Sequence, residues 1–227
     1  MDSALEIRNT PYRNGNNQLV LDTRATLDEV MTHPQCPVFL HSALYGKTSW
    51  QKRSEFTIER VLAAPGLAPQ FAGALLAWGA WGIGQDDSEL SLEELISSEL
   101  KTRPAALVLP LDVPDRAWGE ARTGSTPQDF PIVWAMAVVD LAVDRIQKAR
   151  IALSGTWEQS VALAHAADLL LDRPLSSEMI DQVATAVADE VAPRGDYRGS
   201  AKYRKAMAGV MTRRALEACL EPVPGSD

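Results

Sequence analysis

Apolar positions fall along this chain in two textures. Residues 1–103 carry short apolar runs broken by turn formers. These predict strands near residues 5–8 and 18–22, then a helix opened by Thr26, where Glu29 three residues on completes a capping box before Val30 and Met31. Pro34 and Pro37 close that helix, and a short helix is expected over 38–44. Residues 69–78 are apolar at helical spacing. A hairpin follows, 80–84 and 89–92 about a Gln85-Asp86-Asp87 turn, and Ser91 with Glu94 opens another short helix. From Ala105 the runs lengthen into strands over 105–111, 132–141 and 147–154, the last two joined near Val143-Asp144-Arg145. The near-continuous apolar stretch 131–143 predicts a strand covered by helices on at least one face. Three helices are expected after it, over 160–171, 176–192 and 200–220, the last capped by Ser200 and stopped before Pro222. Met207, Val210, Met211, Ala215 and Cys219 share one side of that helix, and Lys202, Arg204, Lys205, Arg213 and Arg214 form a basic, solvated side. The fold class is α+β: an antiparallel sheet backed by a helical layer follows a smaller α+β domain, with the boundary at Thr102-Arg103-Pro104, dividing 1–103 from 104–227.

Composition narrows the function classes. The chain has 227 residues, 46% hydrophobic and 23% charged, enough to bury a core. A net charge of -8 argues against nucleic acid, because phosphate binding needs a positive footprint. No run approaches the roughly 18 apolar residues of a membrane helix, and no basic-then-apolar leader is visible. Two cysteines, Cys36 and Cys219, make neither a disulfide framework nor a metal spacing, so a reduced cytoplasmic setting is expected. His33, His41 and His165 are too scattered to form a metal site. Six tryptophans beside four Phe and four Tyr suit a pocket for a large apolar ligand, although core packing is the ordinary role of each.

Asp196-Tyr197-Arg198-Gly199-Ser200-Ala201-Lys202-Tyr203-Arg204, with the helix that follows, resembles the C-terminal signature of the FAD-binding medium subunit of molybdenum hydroxylases, the carbon-monoxide and xanthine dehydrogenase families. Ala149-Arg150-Ile151-Ala152-Leu153-Ser154-Gly155 and residues 169–174 resemble a strand and a helix end of the same family. So do Leu19-Val20-Leu21 and Thr26-Leu27-Asp28-Glu29-Val30 near the start. The resemblance implies a scaffold and, with it, a flavin. In residues 49–63, where the family has a Gln-Val-Arg-Asn-Arg-Gly-Thr-Ile-Gly-Gly-Asn-Leu-Ala segment, Gln51, Arg53, Thr57, Ile58, Leu62 and Ala63 survive. The Gly-Gly-Asn that lets backbone approach the FAD pyrophosphate is replaced by Glu59-Arg60-Val61. A phosphate cradle needs bare N–H groups in conformations that side chains disfavour, and Glu59 adds a like charge. The family's other phosphate loop, Ala-Gly-Gly-Thr-Asp, belongs to a subdomain expected to be missing before Met1, and no Gly-Gly-Thr occurs in the sequence. No cofactor is therefore expected.

The candidate site is the emptied cleft. Asp129, retained where the family approaches the flavin edge, and Glu59 are the candidate acid and base, since a carboxylate in an apolar cleft has a raised pKa. Trp50, Trp78, Trp81, Arg60, Gln128 and Tyr45 are the candidate substrate contacts, with His41 sharing the helical face of Tyr45. The expected function is a flavin-independent cyclase or isomerase acting on an apolar, polyketide-like intermediate, with no nucleic-acid or membrane partner and a homodimer left open. The alternative is an FAD-binding or scaffold subunit of a molybdenum-hydroxylase-type complex.

Overall fold

The structure, a computed structural model, describes residues 12–13, 17–97, 103–124 and 130–220. It divides into two units, residues 1–75 with 79–112, and residues 76–78 with 113–227.

The first unit holds a five-stranded antiparallel sheet in the order β1-β2-β5-β3-β4. Its strands are β1 (Tyr12–Arg13), β2 (Gln18–Asp22), β3 (Trp81–Ile83), β4 (Glu89–Ser91) and β5 (Ala106–Pro110). Leu19, Val20, Leu21 and Asp22 are all buried. Side chains alternate across a strand, so β2 is covered on both faces. Between β2 and β3 run five helices: α1 (Leu27–Thr32), α2 (Val38–Leu44), α3 (Trp50–Glu55), α4 (Ile58–Ala63) and α5 (Pro69–Trp78). The Thr26–Glu29 capping box forms in full. Glu29 N–H donates to Thr26 Oγ1 at 3.2 Å, and Thr26 N–H donates to the Glu29 carboxylate at 2.7 Å. The hairpin pairs Trp81 with Ser91 and Ile83 with Glu89, and α6 (Leu92–Ser97) follows it directly.

One expectation is corrected here, and a segment left without an expected element is resolved. Residues 50–63 are helical, because Ser49 and Thr57 each cap a short turn, Ser49 accepting from Lys52 and Thr57 from Arg60. The strand after residue 103, expected in the second domain, is β5. It lies between β2 and β3, so the first unit runs on to Asp112. Local pattern gives a strand no address; only its hydrogen-bonding neighbours do.

The second unit is a four-stranded antiparallel sheet in the order β6-β7-β8-β9. These are β6 (Arg116–Thr123), β7 (Val133–Ala142), β8 (Arg145–Ser154) and β9 (Val161–Leu163). Eight of the ten residues of β7 are buried, as a central strand requires. Helices α7 (Ser177–Glu190) and α8 (Ala201–Ala218) pack on each other, and α8 lies on β6 and β7. Small side chains of β7 let the helices come close: Ala135, Ala137 and Val139 join Ile151, Leu153, Val183, Val187, Met211 and Leu216 in one cluster. At Gly119 of β6 a Cβ would stand 2.3 Å from the Ala215 carbonyl oxygen, so the glycine lets helix and strand backbones touch. The helix expected over 160–171 is instead β9 followed by a 3₁₀ segment, His165–Leu170, whose Ala166 N–H donates to Glu190 of α7 at 2.9 Å. β6 has no counterpart among the expected strands, since Ala117, Gly119 and Ala121 give a weak apolar signal.

Candidate functional site

Residues 56–61, where the resemblance leads one to expect a glycine loop, are zipped onto the chain that follows β2. Leu27 N–H donates to Phe56 O at 2.9 Å, Ile58 N–H to Ala25 O at 3.0 Å, and Glu59 N–H to Thr23 O at 2.7 Å. The next two amides close on the cap, Arg60 N–H to Thr57 Oγ1 at 3.3 Å and Val61 N–H to Thr57 O at 3.1 Å. A helix begins with four N–H groups that lack a partner inside it. Three of those four, the amides of Ile58, Glu59 and Arg60, have acceptors within the protein, and Val61 makes the first hydrogen bond of the helix itself. Val61 is fully buried, and Glu59 pairs with the Arg103 guanidinium. Arg60 turns outward, 3.1 Å from Glu55 and with its guanidinium carbon 4.6 Å over the Phe56 ring.

Beside this turn is a cleft of about 360 Å³ lined by Thr23, Arg24, Glu59, Gln85, Arg103, Pro104 and Ala105. The charged groups of its walls are internally paired. Arg24 grips Asp22 through Nε at 3.1 Å and Nη2 at 2.7 Å, and Thr23 Oγ1 donates to Pro104 O at 2.8 Å. Burial pushes the Asp22 carboxyl up. The side-chain and backbone hydrogen bonds from Arg24, with its charge, outweigh that and hold it below its ordinary value. The cleft therefore sets paired ions and hydrogen-bonding edges beside the apolar surface of its walls, which include Pro104 and Ala105.

Of the residues expected at the site, only Glu59 lines this cleft among the described residues. Trp50 is 64% exposed at the start of α3, and Tyr45, 68% exposed at the end of α2, stacks on His41 with ring centroids 5.4 Å apart. Both face solvent rather than an apolar cavity. Trp81 packs with Ile83 against Val20, Ala106 and Val108 of the first sheet. Trp78 is buried in the second unit beneath the Arg116 guanidinium, 5.0 Å from its ring, and its carbonyl accepts from Arg116 at 3.2 Å. Gln128 and Asp129 lie outside the described residues. Thr23, Arg24, Gln85 and Arg103 were missed. Asp22-x-Arg24 is a faint local cue, whereas Arg103 meets Glu59 across 44 residues of sequence and leaves no local trace.

Two further sources of chemistry are weak. Burial pushes the Cys36 thiol up to about 11 and the Cys219 thiol up to about 12, so neither is a thiolate near neutral pH. Among the described residues, no group of three or more His, Cys, Asp and Glu is placed to hold a metal ion.

The second unit's signature is a clamp. Asp196 accepts from the N–H groups of Arg198 at 2.9 Å and Gly199 at 3.1 Å, and both its oxygens take Arg204 Nη2 at 2.8 Å. Arg204 Nη1 donates to Ile132 O at 2.8 Å and Gly155 O at 3.1 Å, tying α8 to the ends of β7 and β8. Arg204, expected on a solvated basic side, is 6% exposed. Its partner is set by the turn before the helix, which the helical periodicity does not register.

Residues 123–219 of this clamp-bearing unit match the CO dehydrogenase flavoprotein C-terminal domain. The chain is a homologue of the medium subunits of molybdenum hydroxylases. It is 27% identical over 180 residues to 6-hydroxypseudooxynicotine dehydrogenase complex subunit alpha of Paenarthrobacter nicotinovorans, covering 75% of this chain and 61% of that protein. With the carbon monoxide dehydrogenase medium chain of Afipia carboxidovorans it shares 33% identity over 90 residues, 39% of this chain and 31% of the relative. The match thus spans less than two thirds of either relative. The fold is that of the carbon monoxide dehydrogenase from Hydrogenophaga pseudoflava, with a TM-score of 0.78 at 20% identity over 92% of this chain and 77% of the other. Quinoline 2-oxidoreductase from Pseudomonas putida 86 gives 0.75 at 19% identity, over 93% and 78%.

Proposed function

We propose that the chain serves as a medium-type subunit of a molybdenum-hydroxylase-type oxidoreductase complex in the cytoplasm. The observation that carries this reading is the retained C-terminal domain, residues 123–219, with its core and its Asp196–Arg204 clamp complete. A catalytic role inside this chain has less behind it. A cyclase or isomerase for an apolar intermediate needs a dry, enclosed cavity to orient its substrate. The cleft beside Glu59 is instead half open to solvent and carries the Glu59–Arg103 ion pair, and two of the expected aromatic contacts stand in water. The reading as a subunit also accommodates the two unpaired cysteines, which a reducing compartment keeps as thiols.

The experiment is purification of the tagged chain from the cell that makes it, followed by metal analysis and identification of what accompanies it. Expected is a stoichiometric assembly in which partner chains bring molybdenum and iron–sulfur. Recovery of the chain alone or as a homodimer, free of both metals, would overturn the assignment and return the cyclase reading to first place.

A further inference from the structure

We infer that this chain does not take up FAD, because the turn that would receive the pyrophosphate has committed its backbone donors elsewhere. The site residues present do not fit the cofactor that the resemblance implies. A pyrophosphate binds at such a turn through several bare N–H groups converging on its oxygens. At Ile58 and Glu59 those donors are the rungs of the ladder to Ala25 and Thr23, at 3.0 and 2.7 Å. At Arg60 the donor is taken by the Thr57 side chain at 3.3 Å, and Val61 makes the first hydrogen bond of the helix itself, to Thr57 O at 3.1 Å. A phosphate could claim the Ile58 and Glu59 amides only by stripping two carbonyls of their partners, and an acceptor without a donor is costly once out of water.

The side chains reinforce the seal. The Glu59 carboxylate stands at the turn and is paired with Arg103, so that guanidinium is already neutralised and offers a phosphate no net positive charge. Val61 fills the space beneath the turn and is fully buried. Arg60, the one cation on the turn itself, is drawn off toward Glu55 and Phe56. The replacement of the glycines has thus produced an ordinary capped helix start, in which the protein occupies the ligand's position.

The test uses the purified full chain with FAD as the probe. Its visible spectrum should show no flavin band, and FAD fluorescence should stay unquenched up to about 1 mM, a Kd too weak to matter for a resident cofactor. Hydrogen exchange supplies a readout that needs no ligand. The Ile58 and Glu59 amides should exchange slowly, and FAD should leave their rates unchanged. Flavin bound as isolated, a micromolar Kd, or open-chain exchange at those two amides would overturn the inference. The outcome is separable from the subunit assignment. An assembly that contains molybdenum and iron while this chain stays colourless satisfies both, and flavin on the isolated chain defeats only the present inference.

Discussion

At Arg204 a guanidinium sits almost wholly out of water, with Nη1 shared between the carbonyls of Ile132 and Gly155 and Nη2 on Asp196. Replacing it by Met strands those carbonyls in a buried setting. The expected cost is on the order of 3 kcal/mol, and melting should fall by about 10 °C in a calorimetric scan. The same contact sets an acid limit. The hydrogen bond from Arg204 holds the Asp196 carboxyl below its ordinary value, with help from the Arg198 and Gly199 amides. A carboxyl depressed in the folded state stabilises it fully above the unfolded pKa of about 3.9 and loses that contribution as pH falls through the native value. Stability of the wild type should therefore decline as pH drops below about 4, and Asp196→Asn should show a flatter acid limb. An equally steep decline in that variant would assign the limb to other carboxyls.

Among the elements, the β7–β8 hairpin carries a local conflict. Its loop is Val143-Asp144, between the paired residues Ala142 and Arg145, and the two φ angles are 50° and 63°. A two-residue hairpin loop with both residues left-handed favours Asn-Gly, and a β-branched residue is poorly suited to that region. Val143 is 95% exposed, so no packing opposes a change. The double substitution Val143→Asn, Asp144→Gly should stabilise the protein by about 1 kcal/mol, read as a melting point higher by about 3 °C. An unchanged or lower value would mean that the loop contributes something beyond the turn. In α4 the conflict is absent: Thr57 caps it and Glu59 adds a favourable charge at its N-terminal end. That local consistency is what makes the turn a helix start and a poor phosphate cradle.

For the molecule as a whole, charge and burial decide which partners are open to it. With a net charge of -8 and a sequence pI of about 5.0, the chain should pass through a heparin column at physiological salt, and retention would reveal a basic face that the totals conceal. Much of this protein was legible in the sequence. The capping box at Thr26, the Trp81–Ser91 hairpin, the apolar run of β7 and the Ser200 cap each depend on residues a few positions apart, where propensity and periodicity act. The Asp196–Arg204 signature likewise announced its family. What only the tertiary structure decided involves residues distant in sequence. β5 found its place between β2 and β3, Arg103 reached Glu59, and Thr23 and Ala25 took the amides of Glu59 and Ile58. Trp50 and Tyr45, identical as letters to any core aromatic, were left in solvent. Local pattern sets how a segment can bury its own apolar face, while the partners of its polar groups come from whichever distant backbone the fold brings within hydrogen-bonding reach.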